Sequence, residues 1–148
     1  MDKALHFEIV TPERVVFSAP SVESVTLPTQ MGEITILPDH LPLVANLAPG
    51  ELHVKVGGQE ISMAVSGGFI EVKPGKITVL ADTAERADEL DLERAEQARQ
   101  KAHQLMSQAR TAESTDYAAL AAKLEKELAR LRVATKHRER KGFAPKIE

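Results

Sequence analysis

Polar and apolar side chains alternate with a period of two through the first half of the chain. Leu52, Val54 and Val56 fall on one face of a candidate strand. His53 and Lys55 fall on its other face, as expected for a half-buried strand. Pro and Gly interrupt this pattern at intervals of roughly 8–12 residues, which is typical of a β-sandwich or barrel. The predicted strands are His6–Thr11, Arg14–Phe17, Val22–Leu27, Glu33–Leu37, Leu43–Leu47, Glu51–Val56, Glu60–Val65, Phe69–Val72 and Lys76–Leu80.

The pattern becomes helical near Ala84. Between Asp91 and Arg110 the chain has neither Gly nor Pro, and strong helix formers dominate. Small and apolar side chains recur there at helical spacing, which predicts a narrow seam along one face of the helix. The seam residues are Leu92, Ala95, Ala98, Ala102, Leu105 and Ala109.

A second helix is predicted from Asp116 to Val133, with Leu at helical spacing along it. The polar loop Thr111–Thr115 is short, so the two helices should form an αα-hairpin. Small seam side chains bury little area, at ~25 cal/mol per Å². The hairpin is therefore expected to be marginally stable alone and able to dock, open or re-pack.

Composition narrows the class of protein. The chain has no Cys, which excludes disulfides, zinc–thiolate sites and thiol nucleophiles. One Tyr, four Phe and no Trp offer few faces for stacked bases, so no nucleic-acid partner is expected. The polar start MDKALHFEIVTP does not predict a signal peptide. No apolar run is long enough to predict insertion into a membrane.

Charge is divided unevenly along the chain. Residues 1–88 carry 6 Lys and Arg and 12 Asp and Glu, whereas residues 89–148 carry 13 and 10. The halves therefore have net charges of −6 and +3, which suggests two modules with different partners. Residues 136–141 read KHRERK, and residues 139–148 are expected to form a basic, flexible tail.

A search for catalytic patterns predicts no enzyme. The patterns GxxxxGK[ST], GxSxG, HExxH and GxGxxG are all absent, and the five His residues show no metal-ligand spacing. The segment GEITILPDHLPLV places Asp39 and His40 between Pro38 and Pro42. No third group supports a relay or a metal site there, so a stiff turn is predicted.

The predicted hairpin carries charges that allow two interpretations. Asp91 and Arg94 are three residues apart at the start of the first helix, where the helix dipole favours an acidic side chain and the two residues can form an ion pair. The alternative is a nucleotide site, in which Lys126 and Arg130, four residues apart, point at one phosphate group.

Several motifs, in order, resemble the epsilon-subunit family of the bacterial proton-translocating ATP synthase, the counterpart of mitochondrial delta. The resemblance covers residues 1–138. Its motifs are VTP at residues 10–12, GEITILPDHLPLV at residues 32–44, VSGGFIEV at residues 65–72, VLADTAER at residues 79–86 and LDLERA at residues 90–95.

The resemblance implies an α+β fold: a ten-stranded β-sandwich followed by an antiparallel two-helix hairpin. It implies a sandwich domain at residues 1–87 that binds the gamma subunit and the c-ring, and a regulatory hairpin at residues 88–138. Such a chain is a non-catalytic central-stalk (rotor) subunit. It couples c-ring rotation to the catalytic alpha and beta subunits, peripherally on the cytoplasmic face of the plasma membrane. Extended, the hairpin would inhibit ATP hydrolysis.

The resemblance also implies site residues. Glu33 and His40 are implied as c-ring contacts. Regulatory ATP would bind at Glu85, Asp91, Arg94, Lys101, Lys126 and Arg130. Lys101 and Lys126 stand where tight-binding members have Arg, and Lys lacks the bidentate fork, so binding is expected to be weak. The positive balance of residues 89–148 suggests inhibitory contacts with the catalytic subunits through Arg94, Arg99, Lys123, Lys126, Arg130 and Arg132. The alternative function is an ATP-sensing binding protein.

Overall fold

The computed structural model describes residues 4–90, 92–109 and 117–142. Within them, eight strands are followed by a 3-10 turn and two helices. The strands are β1 Leu5–Val10, β2 Val15–Val22, β3 Ser24–Thr29, β4 Gly32–Ile36, β5 Leu43–Asn46, β6 Gly50–Val56, β7 Gln59–Lys73 and β8 Lys76–Arg86. The 3-10 turn is Ala87–Glu89, and the helices are α1 Leu92–Ala109 and α2 Tyr117–Gly142.

The strands form a β-sandwich around one apolar core. They pair in the order β2-β1-β8-β7-β6-β3-β4, and β5 pairs with β7. Every pair is antiparallel except β1 with β8. The alternating pattern buries one face of each strand, and side chains such as Phe7, Ile9, Leu27, Leu52 and Ile70 are fully buried in the core.

The described residues contain eight strands, so the expected count of ten is not confirmed. Two predicted strands, Glu60–Val65 and Phe69–Val72, are parts of the single strand β7. Gly67 and Gly68 lie between them with φ of 55° and 121°. They do not end the strand, because the register with β8 is the same on both sides.

Gly68 is required by the close approach of β8. A Cβ atom at this position would collide with the carbonyl oxygen of Leu80, and its positive φ is disfavoured for any residue with a side chain. Strand β7 therefore passes close over β8. Its first part pairs with β6 and its last part with β5, so this one strand joins the two halves of the sandwich.

Both helices lie where the sequence pattern predicts them, but α2 extends beyond its predicted C-terminal end. Helix α1 lies within the predicted limits, whereas α2 continues past Val133 to Gly142 and enters the segment expected to be a tail. The predicted loop Thr111–Thr115 lies outside the described residues. The two helices pack against each other and are called the helix pair below. Neither is long and apolar enough to cross a lipid bilayer.

Candidate functional site

Helix α2 packs on the sandwich through a small apolar contact. It lies against β7, β6 and the 3-10 turn. Val133 is 1% exposed and packs with Ala64 of β7, Ala87 of the 3-10 turn and the half-buried Leu90. Three of these four side chains are no larger than Val. The apolar part of the interface therefore buries little area, and each contact contributes little free energy.

Polar contacts surround this apolar patch. The guanidinium of Arg130 donates two hydrogen bonds to the carboxylate of Glu85, near the end of β8, one of them at 2.6 Å. It donates a third, at 2.9 Å, to Glu127 on its own helix. The hydrogen bonds to Glu85 raise the pKa of Arg130 above its ordinary value. A bidentate pair of this kind holds the helix in one register on the strand.

The Arg130–Glu85 pair lies at a cleft of about 420 Å³ between the sandwich and the helix pair. Three residues of the expected ATP set, Glu85, Arg94 and Arg130, line it. Glu89, Leu90, Ala98 and Glu127 complete the lining. Two guanidinium groups therefore face three carboxylates, and a phosphate group would have to compete with Glu85 for Arg130.

The other members of the expected ATP set are not brought into this cleft. Asp91 lies outside the described residues. Lys101 is exposed on α1, Lys126 is half-buried on α2, and neither lines the cleft. The geometry thus groups half of the predicted set.

The basic residues expected to reach the catalytic subunits lie on both helices. Lys123 and Arg132 are exposed on α2, and Arg94 is exposed at the start of α1. Arg99 donates hydrogen bonds to Glu96, the shorter at 2.7 Å, and these raise its pKa. Arg130 is held by Glu85, and Lys126 is half-buried.

A second polar cluster joins the last turns of α2 to strands β6 and β7. Lys136 Nζ lies 2.7 Å from Glu51 Oε2, and Arg140 Nη1 lies 2.9 Å from Glu60 Oε1. His53 lies between the two carboxylates. Burial raises the pKa of Glu60, but hydrogen bonds and charge from Arg140 and His53 outweigh it and hold that pKa below its ordinary value.

Sequence reasoning missed this cluster because no local spacing reveals it. The paired residues are 85 and 80 positions apart in the chain. The basic run KHRERK predicts a basic tail and does not indicate an acidic partner. Only the alternating pattern, which places His53 and Lys55 on one strand face, hinted at a polar surface there.

Glu33 and His40 are both exposed, at opposite ends of β4. Glu33 follows the β3–β4 turn, and His40 lies in the loop that leaves the strand. His40 Nδ1 lies 2.7 Å from the carbonyl oxygen of Leu41, and the preceding Asp39 adopts φ of 68°. The turn predicted around Pro38 and Pro42 is therefore present, with the His side chain bonded to its backbone.

Large apolar side chains are exposed on the same domain. Met31 is 97% exposed, Leu41 78% and Val44 72%. Phe69 and Leu80 are paired in register on β7 and β8, and both are more than half exposed. Period-two alternation with the buried Ile70 and Val79 could have identified them as outward-facing. Contiguous exposed apolar groups mark interaction surfaces, and Met31 and Val44 line the same groove.

Comparison with known proteins identifies the family. Residues 4–87 match the beta-sandwich domain of the ATP synthase delta/epsilon chain, and residues 88–135 match its long alpha-helix domain. The fold and these matches define a sandwich-plus-helices chain of a larger complex. The protein belongs to the ATP synthase delta/epsilon chain family, as a non-catalytic chain of that complex.

Relatives and solved structures agree with this assignment. The chain is 50% identical to the ATP synthase epsilon chain of Chloroflexus aggregans, over 90% of this chain and 94% of the relative. It is 48% identical to that of Herpetosiphon aurantiacus, over 92% and 98%. A chain of the Euglena gracilis mitochondrial ATP synthase, in an OSCP/F1/c-ring assembly, has the same fold. Its TM-score is 0.76 at 24% identity, covering 90% of this chain and 82% of that one.

Proposed function

We propose that this chain acts in the central stalk of the ATP synthase, where it couples rotation of the c-ring to the catalytic alpha and beta subunits. Its partners are then the gamma subunit and the c-ring, at the cytoplasmic face of the plasma membrane. The observation that carries the proposal is the match of both domains, in order, to the delta/epsilon chain. The c-ring assembly that contains the Euglena chain supports the choice of partner.

The sandwich, residues 1–87, carries the coupling part of the proposal. Its exposed apolar side chains Met31, Leu41 and Val44 lie next to the segments that hold Glu33 and His40. Apolar groups supply contact area, and a nearby charged or polar group fixes orientation. We assign the c-ring contact to this surface, with Glu33 and His40 as its polar members.

Replacing His40 by Ala in the assembled complex tests this assignment. The change removes an exposed ring without disturbing the core, so the sandwich should remain folded. We expect weaker coupling of proton transport to ATP hydrolysis, measured in membrane vesicles. Glu13→Ala, in the exposed turn between β1 and β2, is the matched control. Unchanged coupling in His40→Ala, with normal assembly, would leave His40 as a turn residue only.

The helix pair, with residues 88–138 as its functional unit, carries the regulatory part. When the helix pair is docked on the sandwich, Arg130 is hydrogen-bonded to Glu85 and Arg99 to Glu96. An acidic segment of a catalytic subunit would offer these cations equivalent partners. Release from the sandwich would then expose a basic pair of helices able to block hydrolysis, with a steering effect that weakens as salt rises.

Deleting residues 89–148 tests the regulatory role. If the helix pair inhibits, the truncated complex should hydrolyse ATP faster than the full complex, with the sandwich still bound to the gamma subunit. An unchanged rate in a correctly assembled complex would confine this chain to coupling. Purification with the gamma subunit provides the assembly control.

ATP sensing is a second candidate function, favoured by the cleft that brings Arg94 and Arg130 together. Because Arg130 is already bonded to Glu85, we expect ATP to bind with a dissociation constant on the order of 1 mM or weaker. Calorimetric titration of the full chain with ATP measures it. Low-micromolar binding would favour the sensor.

A further inference from the structure

The last part of α2 lies beyond the residues that match the family's long alpha-helix domain. The family match ends at residue 135, whereas α2 continues to Gly142. Residues 136–142 therefore add further turns to the helix. This extension lies over β6 and β7, and its contacts are described next.

Two cations of the extension meet two carboxylates of the sandwich. Lys136 Nζ lies 2.7 Å from Glu51 Oε2, and Arg140 Nη1 lies 2.9 Å from Glu60 Oε1. The cations are four residues apart, so they project from one face of the helix. The Glu51 side chain is only 8% exposed. A buried carboxylate is costly unless a charge partner is present.

Contacts within β6 and β7 also position the carboxylates. His53 lies between them on β6, with Nε2 3.4 Å from Glu51 Oε1 and Nδ1 3.0 Å from Glu60 Oε1. Ser62 Oγ lies 3.1 Å from His53 Nδ1. The pairing of β6 with β7 fixes the backbone of this cluster. In its register His53 lies opposite Ser62, and Glu60 lies opposite Lys55. The sandwich thus offers a rigid acidic site for two cations one helical turn apart.

We propose that Glu51, His53 and Glu60 form a docking site for the extension of α2, and that this site acts as a clasp holding the helix pair on the sandwich. The clasp adds ion pairs near the C-terminal end of α2. It therefore biases this chain toward the docked state. Its effect on ATP hydrolysis rests on the regulatory role proposed above, but its effect on docking does not.

A charge exchange at the more exposed pair tests the clasp. Glu60→Arg and Arg140→Glu each place like charges together. Hydrogen exchange of the α2 amides in the full chain should then quicken about two- to fivefold, as for a half-exposed ion pair. The double variant, which exchanges the charges, should return toward the wild-type rate. Failure of the double variant to recover would overturn the pairing.

Lys136→Gln tests the pair whose carboxylate, that of Glu51, is buried. It leaves Glu51 without its cation, so α2 amides should exchange about tenfold faster, while β1 and β8 amides exchange as before. Arg138→Gln is the matched control, because Arg138 is exposed on the same turn and its loss changes the net charge equally. Equal acceleration in the two variants, or none in Lys136→Gln, would overturn the clasp.

Activity of the complex separates the clasp from the proposed function. If both hold, Lys136→Gln in the assembled complex should lower ATP hydrolysis, because more of the helix pair leaves the sandwich. Faster exchange in the isolated chain with unchanged hydrolysis would keep the clasp and reject the inhibitory role. Unchanged exchange, with the truncated complex still activated, would reject the clasp and keep the role.

Discussion

Arg130 of α2 and Glu85 of β8 form a bidentate pair across 45 residues of chain. The pair joins the middle of the second helix to the end of the last strand. It thus lies at the border between the two matched domains. Because the apolar contact around Val133 is small, this pair and the clasp contribute much of the specificity of docking.

Removing the Arg130 guanidinium should weaken docking of the helix pair on the sandwich. Arg130→Gln leaves the carboxylates of Glu85 and Glu127 facing the cleft without their cation. We expect the docked state to lose about 1–3 kcal/mol, as for charge-assisted hydrogen bonds that are partly exposed. Hydrogen exchange of α2 amides measures the loss. Arg132→Gln, exposed on the same helix, should change exchange little, and an equal effect there would contradict the prediction.

Truncating the apolar contact should act in the same direction. Val133→Ala removes two methyl groups from a side chain that is 1% exposed, and the site cannot collapse fully against Ala64 and Ala87. The expected loss is about 1–2 kcal/mol of docking free energy. The core of the sandwich should be unaffected. Thermal unfolding followed separately at sandwich and helix signals would reveal any loss of stability in the sandwich itself.

Acid should release the extension of α2. Burial raises the pKa of Glu60, but Arg140 of α2 and His53 of β6 together hold it below its ordinary value of 4.5. The part that comes from Arg140 stabilises docking at all pH values above 4.5, where Glu60 is ionised. That stability is lost as the pH falls through the lowered pKa. NMR shifts of α2 amides between pH 7 and 3 should show this transition. In Glu60→Gln the Glu60 component of the transition should disappear, and an identical titration in that variant would contradict the assignment.

The close approach of β7 to β8 should make Gly68 irreplaceable. In Gly68→Ala the new Cβ meets the Leu80 carbonyl, so backbone movement adds to the strain of a positive φ. We expect a loss of more than about 3 kcal/mol, with little folded protein recovered. Gly58→Ala is the control, since Gly58 also has positive φ but open space around it. Its loss should be about 1 kcal/mol in denaturant unfolding.

Local patterns predicted the elements well. Alternation identified β6 with Leu52 and Val54 buried, and Ala spacing identified a helix that buries Ala102. The predicted break at Gly67 and Gly68 was wrong, because glycine at positive φ ends some strands and lets others continue. Only the register with β8 distinguishes the two outcomes.

The interface between the domains could not be predicted from local patterns. Lys136 and Arg140 looked like part of a solvated basic tail, because their partners Glu51 and Glu60 lie more than half the chain away. Helix formers continue through KHRERK, but propensity alone does not keep a basic helix folded. The carboxylates on β6 and β7 supply what the local pattern lacks.

The two helices are attached to the sandwich in series, since α2 makes the main contacts with β6 and β7 whereas α1 packs chiefly on α2. These contacts predict an order of release. α1 can peel away while α2 stays in place, but α2 cannot leave without carrying its neighbour along. The first step of opening involves only the junction between two helices, and the second requires every contact with the strands to break. A partner that binds the released α1 would therefore act on an intermediate in which α2 is still bound to the strands. From that intermediate, α1 needs only to pack again on α2 to restore the docked state.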